Sequence, residues 1–414
     1  MNICFFTENH YKGGLDTFIV NLLNSWPDGN DKLTLVCNKS HPGLHNIIDK
    51  TSRSITFKKY SRFFTSEIVQ GSSNIKISQS YAIRAFFVLA YRVFQYPILF
   101  PWYTISLTRF FRGSDFDRLM VINGGYPASL LCRCAVIAWR LSGKQSLATL
   151  NFHNSAINPP WYLSFPEYII DALVSQSSAN IISVSNNCLS TLSTRKGFLG
   201  NTKLHCIYNG IEDPMMLPQK LKPNIDLNLT VAPLCLMLAT YEPRKGYDYL
   251  LHAFKLVVEK FPSASLQIFG YGKVHEKKRI CSKVAELSLQ DNVSLNGFAP
   301  DVSSLLSRAD ILVVPSQSYE SFGLTIIEAM AFSVPVVSTN VGGIPEVLAD
   351  SNAGYVCSKD DPKMFANAII DILSDRGLAL RLGHNGRKTY EERFNALYMS
   401  KRYESIIKNR EIVI

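Results

Sequence analysis

The chain has 414 residues, of which 47% are hydrophobic and 18% are charged, and its formal net charge is +10. This composition is typical of a folded globular protein and excludes a disordered tail or a collagen-like chain. The length allows two domains of about 100 to 200 residues each.

Residues 1–7 lack both a basic region and a long apolar run, so we expect a first strand there and no export signal. The nine cysteines are scattered without a C-x-x-C pair, and the eight histidines show no metal-ligand spacing beside them. We therefore expect reduced thiols and a cytoplasmic protein.

The first predicted strand, residues 2–6, is followed by a turn that contains Gly13 and Gly14. The helix after this turn is predicted over about 16–24, with Asp16 or Thr17 as its N-cap. A glycine pair between a strand and a helix allows the backbone to approach a ligand, although an ordinary tight turn also explains it.

Residues 57–112 carry most of the excess of positive over negative charge. Between residues 51 and 112 there are nine basic side chains and one acid, and residues 81–112 contain eleven aromatics. The longest uncharged run, 93–108, has sixteen residues and two prolines, fewer than the roughly 20 apolar residues of a membrane-spanning helix. Two interpretations of residues 81–112 stay open: a helix in the interface of an anionic membrane, or a helix buried against the sheet.

Further strands of the first half are predicted over 32–37, 116–123, 145–152, 180–184 and 205–209. His153 directly follows one of them, where a neutral imidazole can donate to a sugar hydroxyl; a structural role is the alternative. Asp115 and Asp117 form a D-x-D pair, which in another enzyme class would hold a metal ion. Because this pair precedes a strand, we expect it to cap or solvate a loop.

The second half begins with a predicted strand over 234–239, and Arg244 and Lys245 lie in the loop after it. Two cations at the carboxyl end of a strand can neutralise charge on a departing diphosphate, although loop cations are usually solvated. The next predicted strand, 265–270, leads into a turn at Gly272, and another strand is predicted over 293–298.

Residues 310–346 contain two strand-loop-helix units in succession. A buried strand over 311–314 is followed by Glu320 and by Ser321, which we predict to be the N-cap of a helix over 324–332 that carries Glu328. A second strand over 334–337 leads into a Gly-Gly turn and another helix. Helix N-termini at the carboxyl ends of parallel strands favour a phosphate by about 0.3 to 2 kcal/mol each.

The pattern E-SFG-L-x-x-x-E-A-M-A, followed by P-V-V and G-G-x-P-E, resembles the donor-binding signature of the group 1 glycosyltransferases, which are retaining enzymes of glycosyltransferase family 4. The resemblance implies the GT-B fold, in which two Rossmann-like doubly wound domains face a cleft. Two departures stand out: Ser333 replaces a usual glycine, and Thr240 stands where many members have arginine.

The resemblance also implies roles for individual residues. His153, Arg244, Lys245 and Glu320 would act on the transferred sugar and the leaving diphosphate, without a metal ion or cofactor. The nucleotide sugar would contact the two N-terminal glycines, the turn in the second half and the start of the signature helix, namely Gly13, Gly14, Gly272, Ser321, Phe322, Gly323, Leu324 and Glu328.

The domains implied are an acceptor-binding domain over 1–215, a proline-rich linker over 216–232 and a donor-binding domain over 233–395, with a helix at about 396–414 packing back on the first. The expected reaction moves a hexose from a nucleotide sugar, UDP favoured over GDP, to a saccharide or lipid-linked saccharide of a surface polysaccharide. We expect peripheral attachment to the cytoplasmic membrane face through 57–112, and no nucleic acid partner. A related epimerase or hydrolase, and a non-enzymatic binder of anionic polymers, are the alternatives.

Overall fold

The computed structural model describes residues 1–60, 94–214, 232–299 and 301–409. They form two compact units: unit 1 is Met1–Ile207 with Ser400–Ile414, and unit 2 is Tyr208–Met399. Each unit is built on one parallel β-sheet with helices between its strands, which confirms the predicted α/β class with two doubly wound domains. The predicted linker, 216–232, lies almost wholly outside the described residues.

The sheet of unit 1 has seven strands in the order β3-β2-β1-β4-β5-β6-β7, and all neighbouring pairs are parallel. Its central strands are continuous apolar runs because helices cover both faces of such a sheet. The strands are β1 (Asn2–Thr7), β2 (Lys32–Asn38), β3 (Thr56–Tyr60), β4 (Arg118–Asn123), β5 (Ala148–Phe152), β6 (Ser178–Ser183) and β7 (Leu204–Cys206).

The helices of unit 1 fill the connections between these strands. They are α1 (Gly14–Asn24), α2 (Leu44–Lys50), α3 (Phe100–Arg112), α4 (Leu130–Leu141), α5 (Ser164–Ser177) and α6 (Asn186–Ser190). A π-helical turn, Gln95–Leu99, precedes α3, and a 3-10 turn, Trp161–Leu163, precedes α5.

Strand β3 contains the start of the basic aromatic segment, for which the sequence predicted no strand. Lys58 and Lys59 belong to this strand at the edge of the sheet, paired in register with Val36 and Cys37 of β2. Residues 61–93 lie outside the described residues. In α3, one face is buried against unit 1 at Tyr103, Leu107 and Phe111, while other residues of the same helix are exposed.

The sheet of unit 2 has six parallel strands in the order β10-β9-β8-β11-β12-β13. The strands are β8 (Leu234–Leu238), β9 (Ser265–Phe269), β10 (Val293–Asn296), β11 (Ile311–Val314), β12 (Val336–Thr339) and β13 (Gly354–Cys357). The second strand of the signature region therefore begins at Val336, two residues later than predicted.

The helices of unit 2 complete its layers, and buried side chains within 247–260, 274–286, 362–374 and 376–389 form one apolar core with the sheet. These helices are α7 (Tyr247–Lys260), α8 (Val274–Glu286), α9 (Ser303–Leu306), α10 (Leu324–Ala331), α11 (Ile344–Leu348), α12 (Pro362–Ser374) and α13 (Arg376–Thr389). The last helix, α14 (Ala396–Ile407), begins in unit 2, and its residues from Ser400 onward belong to unit 1.

The residue after α14 carries a buried ammonium group that forms three ion pairs within unit 1. Lys408 Nζ lies 2.8 Å from Asp28, 2.7 Å from Asp31 and 2.8 Å from Glu404, and its side chain has almost no exposed surface. Tyr403, also buried, accepts a hydrogen bond of 2.8 Å from Asn151 of β5. These contacts are consistent with the place of the residues from Ser400 onward in unit 1.

Across the described ranges, none of the helices is both long enough and apolar enough to cross a bilayer.

Candidate functional site

The loops that follow β8, β11 and β12 meet at one edge of the unit 2 sheet, because the carboxyl ends of parallel strands share an edge. Backbone hydrogen bonds join these loops. Gln317 N–H donates to the Arg244 carbonyl at 2.8 Å, and Gly343 N–H donates to the Glu320 carbonyl at 2.8 Å. The structure thus brings together the cationic loop and the signature loop that the sequence predicts.

Lys245 and Glu320 form the central ion pair of this edge. The Lys245 ammonium donates to the Glu320 carboxylate, and both side chains are about 15% exposed. Ser316 Oγ lies 3.5 Å from the same carboxylate. An incoming diphosphate would compete with Glu320 for the Lys245 charge, and the partial exposure leaves that exchange open to a ligand.

A left-handed glycine places Lys245 beside the end of β11. Gly246 has φ 78°, and a Cβ atom there would collide with the carbonyl group of Pro315. Only glycine lets these two loops approach so closely. Arg244 points outward: its side chain is 43% exposed and donates to Glu242 at 2.6 Å.

Helix α10 begins four residues after Glu320. Its N-cap is Gly323, in the left-handed region at φ 92°, and not Ser321 as predicted. The Phe322 side chain is buried against Tyr208 and Phe394, so any contribution of Phe322 to a ligand comes from its backbone. In the first turn, Ile326 N–H already donates to the Gly323 carbonyl at 2.9 Å. The amide of Leu324 precedes the helix's own hydrogen bonds and can donate to an anion. Glu328 is half-buried in the second turn.

The Gly-Gly turn after β12 supports the loop that carries Glu320. Gly342 has φ 60°, and a Cβ atom there would collide with the Glu320 carbonyl oxygen. The turn leads into α11, whose first turn contains Pro345, as the sequence predicts.

A cavity of about 660 Å³ lies beyond the ends of β8, β9 and β10. Gly272 lines it and packs so tightly on Tyr241 that a Cβ atom would overlap this neighbour. Tyr271 and Phe298 meet edge-on in its wall, with ring centroids 5.9 Å apart. Sequence reasoning missed Tyr241 and Lys277 in this wall; the signal for Lys277 was its place on the helix after the glycine turn.

In unit 1, Gly13 and Gly14 occupy the start of α1. Gly13 is the N-cap, and the predicted cap Asp16 is instead the third helical residue. The Asp16 carboxylate accepts from Gly13 N–H at 3.4 Å and from Asn9 at 3.0 Å, while burial raises its pKa. A Cβ atom on Gly13 would meet open space, so packing within the described chain does not require this glycine.

His153 lies directly after β5, also in unit 1. Its ring packs on Phe18 with centroids 4.2 Å apart. Burial lowers the pKa of His153 to about 3, which keeps the imidazole neutral at physiological pH. Among the described residues, Nε2 of this ring is buried and has no hydrogen-bond partner. A neutral imidazole with an unused nitrogen can donate to, or accept from, a hydroxyl group.

The D-x-D pair lies at the other end of the unit 1 sheet. Asp117 accepts from the backbone N–H of Asn2 at 2.8 Å, and Asp115 accepts from the Asn2 side chain at 3.0 Å. Both aspartates therefore cap the amino end of β1, as the sequence predicts.

Comparison with known proteins gives one family match. Residues 225–389 match the family described as glycosyl transferases group 1. This range includes β8 to β13 and the whole of the edge that carries Lys245, Glu320 and α10.

Two curated relatives and one solved structure extend this similarity. N-acetyl-alpha-D-glucosaminyl L-malate synthase of Bacillus anthracis is 26% identical over 321 residues, 76% of this chain and 81% of that protein. The capsular polysaccharide biosynthesis glycosyltransferase CapM of Staphylococcus aureus is 32% identical over 162 residues, 39% of this chain and 42% of that protein. The crystal structure of Anabaena Alr3699/HepE in complex with UDP superimposes with a TM-score of 0.73 at 15% identity, covering 99% of this chain and 100% of that one.

Proposed function

We propose that the chain, which is a group 1 glycosyltransferase with the GT-B fold, uses a UDP-hexose as donor. It transfers the hexose to a hydroxyl group of the acceptor with retention at the anomeric carbon. The observation that carries this proposal is the Lys245–Glu320 ion pair beside the start of α10. The UDP named for the similar HepE structure supports this choice of carrier.

We assign the leaving diphosphate to the positive groups of the unit 2 edge. Lys245, Arg244 and the amides from Ser321 to Leu324 would bind its oxygens, since charge grows there as the bond from the anomeric carbon breaks. These groups supply the positive charge without a metal ion. Glu328 would accept from the ribose hydroxyls, and the cavity beside Gly272 would receive the base.

We assign the sugar to Glu320 and His153. When the diphosphate binds Lys245, the Glu320 carboxylate becomes available to hydroxyls of the hexose. His153 would contact a sugar hydroxyl through its unused ring nitrogen, and Gly13 with Gly14 would bring backbone amides to the diphosphate. The anomeric C–O bond breaks with its electron pair on the diphosphate, the acceptor oxygen attacks from the same face, and the acceptor proton passes to the departing oxygen.

We propose a lipid-linked saccharide of a surface polysaccharide as acceptor, at the cytoplasmic face of a membrane. The similarity to a capsular polysaccharide glycosyltransferase supports the pathway. The basic and aromatic residues of 57–112 support the membrane location, with exposed Arg109 and Arg112 at the end of α3.

The test is transfer from radiolabelled UDP-hexoses to a lipid-linked saccharide, with the anomeric configuration of the product read by NMR. We expect retention and unchanged turnover in EDTA. Inverted product would contradict the retaining assignment, and complete loss of activity in EDTA would contradict the metal-free one.

Incubation with the donor alone separates the other activities. Turnover without acceptor would identify an epimerase or hydrolase. A salt-sensitive shift of DNA without donor binding would identify a binder of anionic polymers.

A further inference from the structure

Helix α5 of unit 1 is built with its charges inside and its aromatic residues outside. Its two carboxylates, Glu167 and Asp171, are buried, whereas the side chains around them on the outer surface are apolar and exposed. We call this surface the aromatic face: Ile157, Trp161, Tyr162, Phe165, Tyr168 and Ile169. Trp161 is 87% exposed, Phe165 73% and Ile157 68%.

The buried side of α5 explains why the helix keeps this orientation. Arg133 donates to Glu167 at 2.9 Å, and Arg195 donates to Asp171 at 2.8 Å and to Glu167. Rotating the helix would separate these buried charges from their counter-ions, which is costly in a medium of low dielectric. The outward position of the aromatic face is therefore fixed by the ion pairs beneath it.

The aromatic face carries no exposed charge. Residues 161–177 contain two charged side chains, and both are the buried carboxylates just described. Large contiguous apolar surfaces on soluble units mark interaction sites. Tryptophan and tyrosine, each with an apolar ring and one polar tip, are the side chains enriched at the boundary between lipid and water.

A neighbouring element continues the apolar surface. Tyr96, in the π-helical turn before α3, donates to Glu167 at 2.5 Å and so ties that segment to α5. This turn exposes Ile98, and α3 exposes Trp102 and Ile105. A protein interface of standard size needs about 20 to 30 residues a side and a hydrogen bond per 100 to 200 Å². The six side chains of the aromatic face offer few polar groups, so a lipid surface fits them better than a second protein.

We propose that the aromatic face inserts into the interfacial zone of a lipid bilayer by apolar contact, independently of lipid charge. The loop that begins at His153 connects β5 to this face. Ile157 N–H donates to the Tyr126 carbonyl at 2.8 Å, and the Ile157 carbonyl accepts from the Arg195 side chain at 2.5 Å. Docking would bring this loop to the membrane surface. In that respect the inference rests on the proposed function, because a lipid-linked acceptor would then meet the loop that carries His153.

The test is flotation of the full chain with vesicles of phosphatidylcholine alone and of phosphatidylcholine with phosphatidylglycerol. We expect binding to both, retained in 1 M salt, where the Debye length is about 3 Å. The variant Trp161→Ser/Phe165→Ser/Tyr168→Ser should bind at least about tenfold more weakly, because it loses the buried apolar area. The matched control, Ile48→Ser/Leu141→Ser, removes exposed apolar side chains elsewhere on unit 1 and should bind as the wild type does.

Fluorescence gives a second readout that does not depend on how the triple variant folds. Vesicles should shift the tryptophan emission of the wild type to the blue, and Trp161→Phe should remove most of the shift. Two results with the wild type would overturn the proposal: no vesicle binding, or binding only to anionic vesicles that salt abolishes. Two results with variants would also overturn it. One is loss of binding in Ile98→Ser/Trp102→Ser/Ile105→Ser but not in Trp161→Ser/Phe165→Ser/Tyr168→Ser, and the other is a dimer that the latter variant dissociates.

Stabilisation by UDP separates this inference from the proposed function. The variant Trp161→Ser/Phe165→Ser/Tyr168→Ser should show the same nucleotide-dependent rise in Tm as the wild type. If neither protein responds to any nucleotide sugar while vesicle binding follows the aromatic face, the proposed function fails and the membrane inference stands.

Discussion

Unit 1 and unit 2 each contain a cluster of cations and carboxylates, and burial gives the two clusters different roles. In unit 1, Arg133, Glu167, Asp171 and Arg195 are all enclosed. In unit 2, Lys245 and Glu320 remain about 15% exposed, at the ends of strands. The buried cluster can only hold helices in place, whereas the partly exposed pair can exchange partners with a ligand.

The pKa values reflect the same difference. Burial alone would raise the pKa of Glu167, but the charges of Arg133 and Arg195 and the hydrogen bond from Tyr96 together hold it below its ordinary value. For Asp171, burial outweighs the bonds from Arg195 and raises the pKa. Enclosed charges therefore depend on each other, and removal of one leaves others unpaired.

The largest effect on stability is expected from Glu167→Ala. The substitution leaves Arg133 and Arg195 short of a counter-ion in a buried setting, which typically costs about 3 to 5 kcal/mol. Urea unfolding measures the loss. The control Glu286→Ala breaks the exposed Lys283–Glu286 pair and should cost less than about 1 kcal/mol. Equal losses in both variants would remove the distinction between the clusters.

The reverse pattern is expected for Lys245→Ala. Its unfolding free energy should change by less than that of Glu167→Ala, because water still reaches the Lys245–Glu320 pair, which is about 15% exposed. Transfer should fall by about 10² to 10³ in kcat, or about 2.7 to 4 kcal/mol, if the ammonium stabilises the leaving diphosphate. Lys283→Ala on the same unit is the control for activity. Normal turnover in Lys245→Ala would exclude this role.

Buried histidines should make the stability of unit 1 depend on pH. Burial lowers the pKa of His41 to about 4 and that of His153 to about 3, both below the ordinary 6.5. Between pH 6.5 and 4 the unfolded chain binds these protons and the folded unit does not. The unfolding free energy should therefore decrease as the pH is lowered through this range, by up to about 1.4 kcal/mol per pH unit for each histidine.

The variant His41→Asn checks this dependence. An asparagine oxygen can still accept from Gly43 N–H, as His41 Nδ1 does at 3.1 Å. Thermal unfolding from pH 7 to pH 4.5 should show a shallower slope than in the wild type. An unchanged slope would show that His41 does not contribute.

The smallest effect is expected in the turn after α10. Ser333, which stands where the family usually has glycine, has φ 58° in the left-handed region. Ser333→Gly relieves this conformation but frees the unfolded chain, so we expect a gain of less than about 1 kcal/mol and unchanged transfer. Ser307→Gly, at an ordinary helical φ, should instead lose stability. A clear loss in Ser333→Gly would mean that the serine side chain has a role of its own.

The sequence predicted the partly exposed cluster of unit 2 more fully than the buried cluster of unit 1. Arg244, Lys245, Glu320 and Glu328 follow strands that short apolar runs make easy to recognise. The pairing of Lys245 with Glu320 could not be read from residues 75 positions apart. It depends on the left-handed Gly246 and on the order of strands β8 and β11 in the sheet.

Three local features could not be predicted correctly from the sequence, each for a physical reason. Ser321 has the typical side chain of an N-cap, but the chain turns at Gly323, which adopts φ 92° without a steric penalty. Strand β3 was hidden because the exposed Lys58 and Lys59 of an edge strand resemble a basic surface segment. Helix α5 was missed because its carboxylates face inward and its aromatics outward, the reverse of the usual amphipathic pattern.

The most direct test of the proposed function is nucleotide-dependent stabilisation of the wild type and of Glu328→Ala. UDP or a UDP-hexose at a hundred times its Kd should stabilise the wild type by about 2.7 kcal/mol. Glu328→Ala should fold normally, lose this response and lose transfer, because the ribose contact is gone. An equal response in both proteins, or no response of the wild type to UDP-, GDP- and ADP-sugars, would contradict the donor site assigned to the unit 2 edge.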